Sequence, residues 1–253
     1  DVSLVPESAL QADMRRIVES IYGTSVPPIS GLNIGRAYRS ATEDFRYGGD
    51  MVDVFSYSDG SVSLAVVDVT GHGIPAATHA SIAKYALRSC RSRGLSALES
   101  VRSLNRLCIE NGAFEENDEF FATVFFAIVS PDRKTAEYVC AGHEAAYLFH
   151  GDESTMLNVN GPIVGLMDDV RHFSQDVIRL SVGDLVVAVT DGFSEARNVD
   201  SDFLGAEALV DVILRNRLRD AAWQAEALTR RAHEYGGGLH DYVAALVVRM
   251  SGS

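Results

Sequence analysis

The sequence lacks several features that would place it at once. No apolar run reaches the roughly 18 residues that a membrane-spanning helix needs, and the longest such stretches are strand-sized. The start has no basic segment leading into an apolar one, so no signal peptide is visible. It begins at Asp1 and ends Ser251-Gly252-Ser253, which is compatible with a piece of a longer protein. Cysteine is scarce. Cys90, Cys108 and Cys140 are odd in number and scattered, which suits reduced, buried thiols in a reducing compartment better than a disulfide framework. Basic charge is also short, with 22 Lys plus Arg against 35 Asp plus Glu and a net charge of −13. A nucleic-acid footprint over most of the surface is therefore disfavoured. There is no Cys-x5-Arg loop of the cysteine phosphatases, no internal repeat and no low-complexity tract.

The remaining composition, 47% apolar and 23% charged over 253 residues, is that of one globular domain or two small ones. Residues 8–22 carry a helical apolar pattern, broken by Pro27-Pro28. They read as a first helix or as a connector from an upstream domain. Residues 32–39 suggest a first strand. Segments 52–57 and 61–69 read as a hairpin about Asp59-Gly60. Helices are expected over about 76–93 and 97–111, the first with Pro75 in its opening turn and the second with Ser96 and Glu99 at capping-box spacing. A three-strand meander is expected over 120–129, 135–140 and 145–150. Short strands follow near 155–159 and 171–178, then an apolar strand at 185–190. Helices near 205–218 and 221–235, a Gly236-Gly237-Gly238 break and a last strand at 242–250 complete the chain. Simple βαβ alternation is absent, which disfavours Rossmann and TIM folds. Two packed antiparallel sheets with helices outside each satisfy the pattern.

The aspartates stand at informative places. Asp50 follows Gly48-Gly49. Asp68 ends the most apolar strand just before Gly71-His72-Gly73, Asp191 ends another before Gly192, and Asp241 opens the last strand. A carboxylate in a buried run is costly unless paired or metal-bound. No lysine or arginine adjoins Asp68 or Asp191, so a shared divalent cation is a better counter-charge than a salt bridge. Taken singly, each aspartate also fits a turn or helix cap; Asp59-Gly60 is read as a plain hairpin turn.

Five blocks occur in order. They are Tyr47-Gly48-Gly49-Asp50-Met51-Val52-Asp53-Val54-Phe55, Asp68-Val69-Thr70-Gly71-His72-Gly73-Ile74-Pro75-Ala76-Ala77, Ala141-Gly142-His143, Gly161-Pro162 with Gly165-Leu166, and Thr190-Asp191-Gly192-Phe193-Ser194-Glu195-Ala196-Arg197-Asn198. This arrangement resembles the bacterial PP2C-type (PPM) serine/threonine phosphatase domain of the SpoIIE/RsbU class, over roughly residues 30–250. The resemblance implies an α+β fold, a four-layer αββα sandwich of two antiparallel sheets flanked by helices. It divides the chain into a connector at 1–30 and a phosphatase domain at 31–250. It implies a cytoplasmic, Mn²⁺- or Mg²⁺-dependent protein phosphatase with two ions, working through a metal-activated water and no covalent intermediate. Asp50, Asp68, Asp191 and Asp241 match the metal and catalytic positions, and Val69 would offer its backbone carbonyl. The implied substrate is a phosphoserine or phosphothreonine on a STAS-type anti-anti-sigma protein. The helix at 8–22 resembles a connector that mediates homodimerisation.

Two departures from the family pattern stand in the last block. Tyr242 replaces a second acidic residue and Ala244 replaces a threonine, which points to weakened metal binding with the chemistry retained. Glu43-Asp44-Phe45-Arg46 is a further irregularity, read as a variable solvated loop. Alternatives remain: a catalytically weakened or inactive domain that binds a regulatory partner, and a metal-dependent hydrolase of small phosphate esters. A cyclic-dinucleotide cyclase is disfavoured because Met51-Val52 follow Asp50 in place of acidic residues. Among lesser candidates, His72 is read as a loop or capping residue beside the acidic strand, and His143 as structural. His240 adjoins Asp241 and could touch its surroundings. Arg36, Arg39 and Arg46 are the basic residues nearest the first acidic block, any one of which could meet a phosphoryl group. Trp223 is read as packing.

Overall fold

The computed structural model describes residues 28–39, 48–114, 120–143, 145–236 and 242–252, with side chains left aside at 111–114 and 145. The expected helix at 8–22 and the irregular stretch at 43–46 lie outside the described residues.

Among the described residues, ten strands form two five-stranded antiparallel sheets. One has the order β1 (Leu32–Arg39), β10 (Val243–Met250), β9 (Leu185–Val189), β6 (Ala145–His150), β7 (Glu153–Met156). The other has the order β2 (Met51–Ser56), β3 (Val62–Val69), β4 (Ala122–Val129), β5 (Thr135–Ala141), β8 (Asp176–Arg179). Helices α1 (Gly73–Ser92) and α2 (Ala97–Phe114) cover the outer face of the second sheet. Helices α4 (Glu207–Arg215) and α5 (Ala221–Gly236) cover the outer face of the first. Between β9 and α4 lies α3, a single turn over Asp191–Ser194. The result is the four-layer αββα sandwich expected from the sequence.

Alternation within the strands builds this arrangement. Along β3, Leu64 and Val66 point between the sheets while Ala65 and Val67 point to α1 and α2. Both faces of the central strands are buried, which is why they read as continuous apolar runs. Local chemistry fixes the corners. Gly60 takes φ +81° in the β2–β3 turn, where Asp59 accepts the Ser61 amide. Ser96 and Glu99 exchange reciprocal bonds at the start of α2, as their spacing predicts.

Two expectations are corrected. The third strand of the expected meander, β6, leaves its sequence neighbour β5 and pairs with β9 and β7 in the opposite sheet. The diversion begins at Gly142, in the left-handed region at φ +61°, with its amide bound to the Gly161 carbonyl. The strand expected at 171–178 is shorter. A 3₁₀ turn at Val170–His172, with the Asp169 carboxylate accepting the Arg171 amide, occupies its beginning and leaves only β8.

Candidate active site

The site lies where the apolar layer between the sheets becomes polar. Following the inward faces toward one end, Val52 gives way to Asp50 on β2, Val66 to Asp68 on β3, and Phe125 to Thr123 on β4. In the facing sheet Ala188 gives way to Thr190 and Leu246 to Ala244. The strand registers bring these ends together. Asp68 stands directly across the ladder from Thr123, and Met51, next to Asp50, stands across from Val67.

Three glycines let the acidic blocks close on one another. A Cβ on Gly49 would sit 2.0 Å from the Val69 carbonyl oxygen, beside Asp68. One on Gly192 would sit 1.9 Å from the Tyr242 carbonyl oxygen, beside Asp191 on one side and next to Asp241 in sequence on the other. One on Gly48 would sit 2.4 Å from the Tyr242 ring. No side chain fits in any of these places, so the glycines serve close approach of backbone to backbone or ring.

A cross-sheet hydrogen bond fixes Asp50, which is only 4% exposed. The Thr190 hydroxyl donates to its carboxylate at 2.6 Å and accepts the Ala244 amide at 2.9 Å. Thr190 occupies the N-cap position of α3 but makes no side-chain cap bond, because its hydroxyl is already engaged. Sequence reasoning missed this residue. Its signal was its place two residues beyond Ala188 on an inward face, immediately before Asp191. The backbone amide of Ala244 is thus held by the hydroxyl that follows the neighbouring strand β9. Tyr242 stacks on Tyr38 with ring centroids 5.9 Å apart, and the Tyr38 hydroxyl accepts the Gly48 amide at 2.9 Å. The two rings therefore bear on the Gly48-Gly49-Asp50 segment.

Asp53 is a second residue the sequence did not single out. It faces α1 and receives Arg88 through two bonds of 2.6 and 2.5 Å, with Lys84 at 3.8 Å. Burial lowers the Lys84 ammonium pKa, and Asp53 opposes that shift. The pair ties the helix that follows Asp68 to the strand that begins beside Asp50. Arg36 joins this cluster, donating to the Val52 carbonyl at 3.3 Å. Burial lowers its guanidinium pKa, opposed by Asp53 and reinforced by Arg88. Its surroundings are thus those of an ion-pair cluster.

Asp50, Asp68, Val69 and Asp191 are all placed at this end of the sandwich; Asp191 is half-buried as the first residue of α3. Asp241, His240 and Arg46 lie outside the described residues. Among the described residues, no three His, Cys, Asp or Glu side chains gather closely enough to hold one ion alone. His72 is exposed in the loop at the N-cap of α1 and makes no side-chain cap bond, so of the loop or capping roles expected the structure shows the loop. His79 stacks on Phe120 at 4.2 Å, and His150 bonds Asp184 at 2.7 Å. The three cysteines are buried and unbridged, and burial pushes the Cys108 and Cys140 thiols up to about 12, which is unsuited to nucleophilic attack. Trp223 packs on the α4/α5 side of the core with Arg219 and Arg230 over its ring.

The two-sheet sandwich is the fold of solved PP2C phosphatase domains. Residues 58–251 match the family model of Stage II sporulation protein E (SpoIIE), and the chain belongs to that family. It is 30% identical over 183 residues to the phosphoserine phosphatase RsbU of Bacillus subtilis, an alignment covering 72% of this chain and 52% of RsbU. The chain thus matches only about half of that relative's length. The PP2C phosphatase domain of SpoIIE from Bacillus subtilis, solved with a fragment of its regulatory domain, superimposes with a TM-score of 0.75. It has 16% identity, over 87% of this chain and 63% of that one. RsbX, solved in complex with magnesium, superimposes with a TM-score of 0.65 at 14% identity, over 90% of this chain and 99% of that one.

Proposed function

We propose that this chain hydrolyses phosphoserine or phosphothreonine on a regulatory protein, using divalent cations held by Asp50, Asp68, the Val69 carbonyl, Asp191 and Asp241. The observation that carries the reading is the Thr190–Asp50 hydrogen bond. It joins the Asp50 end of one sheet to the end of the other, and Thr190 immediately precedes Asp191 in the chain. The donor set is all oxygen, which fits Mg²⁺ or Mn²⁺. The described carboxylates do not enclose an ion by themselves, so Asp241, backbone carbonyls and water complete the set in this reading. The magnesium of RsbX supports it.

Bound there, such ions would supply an activated water and would offset charge on the phosphoryl oxygens. The chain's own part is to orient the carboxylates. Thr190 holds Asp50, the glycine contacts hold the Asp68 and Asp191 segments in register, and the Tyr38–Tyr242 pair bears on the loop entering Asp50. The proposed substrate is a phosphorylated STAS-type anti-anti-sigma protein in the cytoplasm. The proposed organisation is a phosphatase domain at 31–250 preceded by a connector at 1–30 that pairs two copies.

p-Nitrophenyl phosphate turnover after chelation and Mn²⁺ add-back tests the reading, with Asp68→Asn and Asp191→Asn beside the parent. Mn²⁺-dependent turnover lost in both variants is expected. A folded parent without turnover up to millimolar Mn²⁺ would refute it and favour a partner-binding domain. Comparing a phosphoprotein with small phosphates separates a protein phosphatase from a small-ester hydrolase, because a protein substrate brings remote binding energy.

A further inference from the structure

His143 is a buried titratable group for which hydrolysis has no evident use. It sits on the crossover from β5 to β6, where the chain passes from one sheet to the other, and is 1% exposed. Its Nδ1 meets the Thr123 hydroxyl at 3.2 Å. Its Nε2 is buried without a hydrogen bond, and two residues further on the β6 backbone at Ala145 stands across the ladder from Val189 of β9. Burial pushes the imidazole down to about 4, with Val189 pulling weakly the other way, so the ring is neutral at pH 7.

Its neighbours connect it to both halves of the site. Thr123 is the cross-strand partner of Asp68 and shares its inward face. Val189 precedes Thr190, whose hydroxyl holds Asp50. The ring therefore stands between the strand that faces Asp68 and the strand that anchors Asp50. We propose that His143 and Thr123 form a positioning pair that sets Asp68 relative to Asp50 across the two sheets. The proposal rests on the metal-phosphatase reading above and assigns it two further residues. Neither touches the reacting atoms; each acts through the carboxylate it places. The His143 carbonyl also accepts the Cys140 thiol at 3.1 Å, a backbone role that survives replacement of the ring and so separates scaffold from positioning.

Four variants test this: Thr123→Val, which removes the hydroxyl at nearly constant volume, His143→Phe, the double variant combining those two, and the conservative Thr123→Ser. Mn²⁺ affinity is read by titration calorimetry on the metal-stripped protein, kcat and KM for p-nitrophenyl phosphate separately, and folding by circular dichroism. Thr123→Val and His143→Phe should each weaken Mn²⁺ binding by about 10–100-fold, the range seen when a residue supporting a ligand is lost. Lowered kcat with little change in KM, and near-parental behaviour of Thr123→Ser, are expected with it. The double variant should be no worse than the more affected single one, since both residues act in one chain of contacts. A folded Thr123→Val protein with parental Mn²⁺ affinity and kcat would overturn the proposal, and it decides the matter should His143→Phe not fold. A parent that binds no Mn²⁺ would overturn the underlying metal reading instead, and the proposal with it.

Discussion

Replacing Thr190 with valine removes one hydroxyl and little volume, and it probes the link between the sheets directly. The parent hydroxyl donates to the buried Asp50 carboxylate at 2.6 Å and accepts the Ala244 amide at 2.9 Å. Losing a hydrogen bond to a charged group costs about 1.5–3 kcal/mol, and leaving a buried amide without its acceptor costs about 1–3 kcal/mol. Together they predict a loss of about 3–5 kcal/mol. At roughly 2–4 °C per kcal/mol for a domain of this size, Tm should fall by about 6–20 °C. The assay is urea and thermal unfolding with chelator present, so that metal binding does not enter. Thr190→Ser keeps the hydroxyl and should recover most of the loss. Thr190→Val within about 1 kcal/mol of the parent would refute the claim that this hydroxyl secures Asp50.

Other positions give separate tests. Gly192→Ala should cost about 2 kcal/mol or more and most of the turnover, because its Cβ would meet the Tyr242 carbonyl oxygen at 1.9 Å; unchanged unfolding and turnover would contradict that contact. His143 titrates near 4 when folded, below its ordinary 6.5, so the unfolded chain binds its proton first. Its contribution is full above pH 6.5 and declines as pH falls from about 6.5 to about 4, by about 3 kcal/mol in all. The difference in urea stability between parent and His143→Phe, followed across that window, should show this slope; a flat difference would argue against a neutral buried ring. Tyr242→Asp should lower thermal stability by removing the stack on Tyr38 while strengthening Mn²⁺ binding, and a titration showing no gain in affinity would reject an electrostatic reading of that departure.

The two-sheet architecture was legible because burial on one or both faces leaves a period in the sequence. The capping box at Ser96 and the Asp59-Gly60 turn were equally readable, since each acts within a few residues. The membership of β6 was not. Its apolar pattern serves either sheet, and the choice falls to Gly142 and the Gly161 carbonyl, 19 positions away in the chain. The glycines beside the aspartates were visible, but their reason was not. Gly49 and Gly192 lie outside the left-handed region, and what forbids a side chain at Gly48, Gly49 and Gly192 is a segment distant in sequence, at Val69 or Tyr242.

By itself the sequence determined the alternation that builds the sheets, the acidic residues at strand ends and the order of blocks that marks the family. These are properties of neighbouring residues, written in local polarity and spacing. Only the tertiary structure decided which threonine would hold Asp50, that Asp53 would be paired with Arg88, and that a neutral His143 would stand between the two sheets. The Thr190–Asp50 bond joins residues 140 positions apart, and its strength comes from burial that exists only once both sheets have packed.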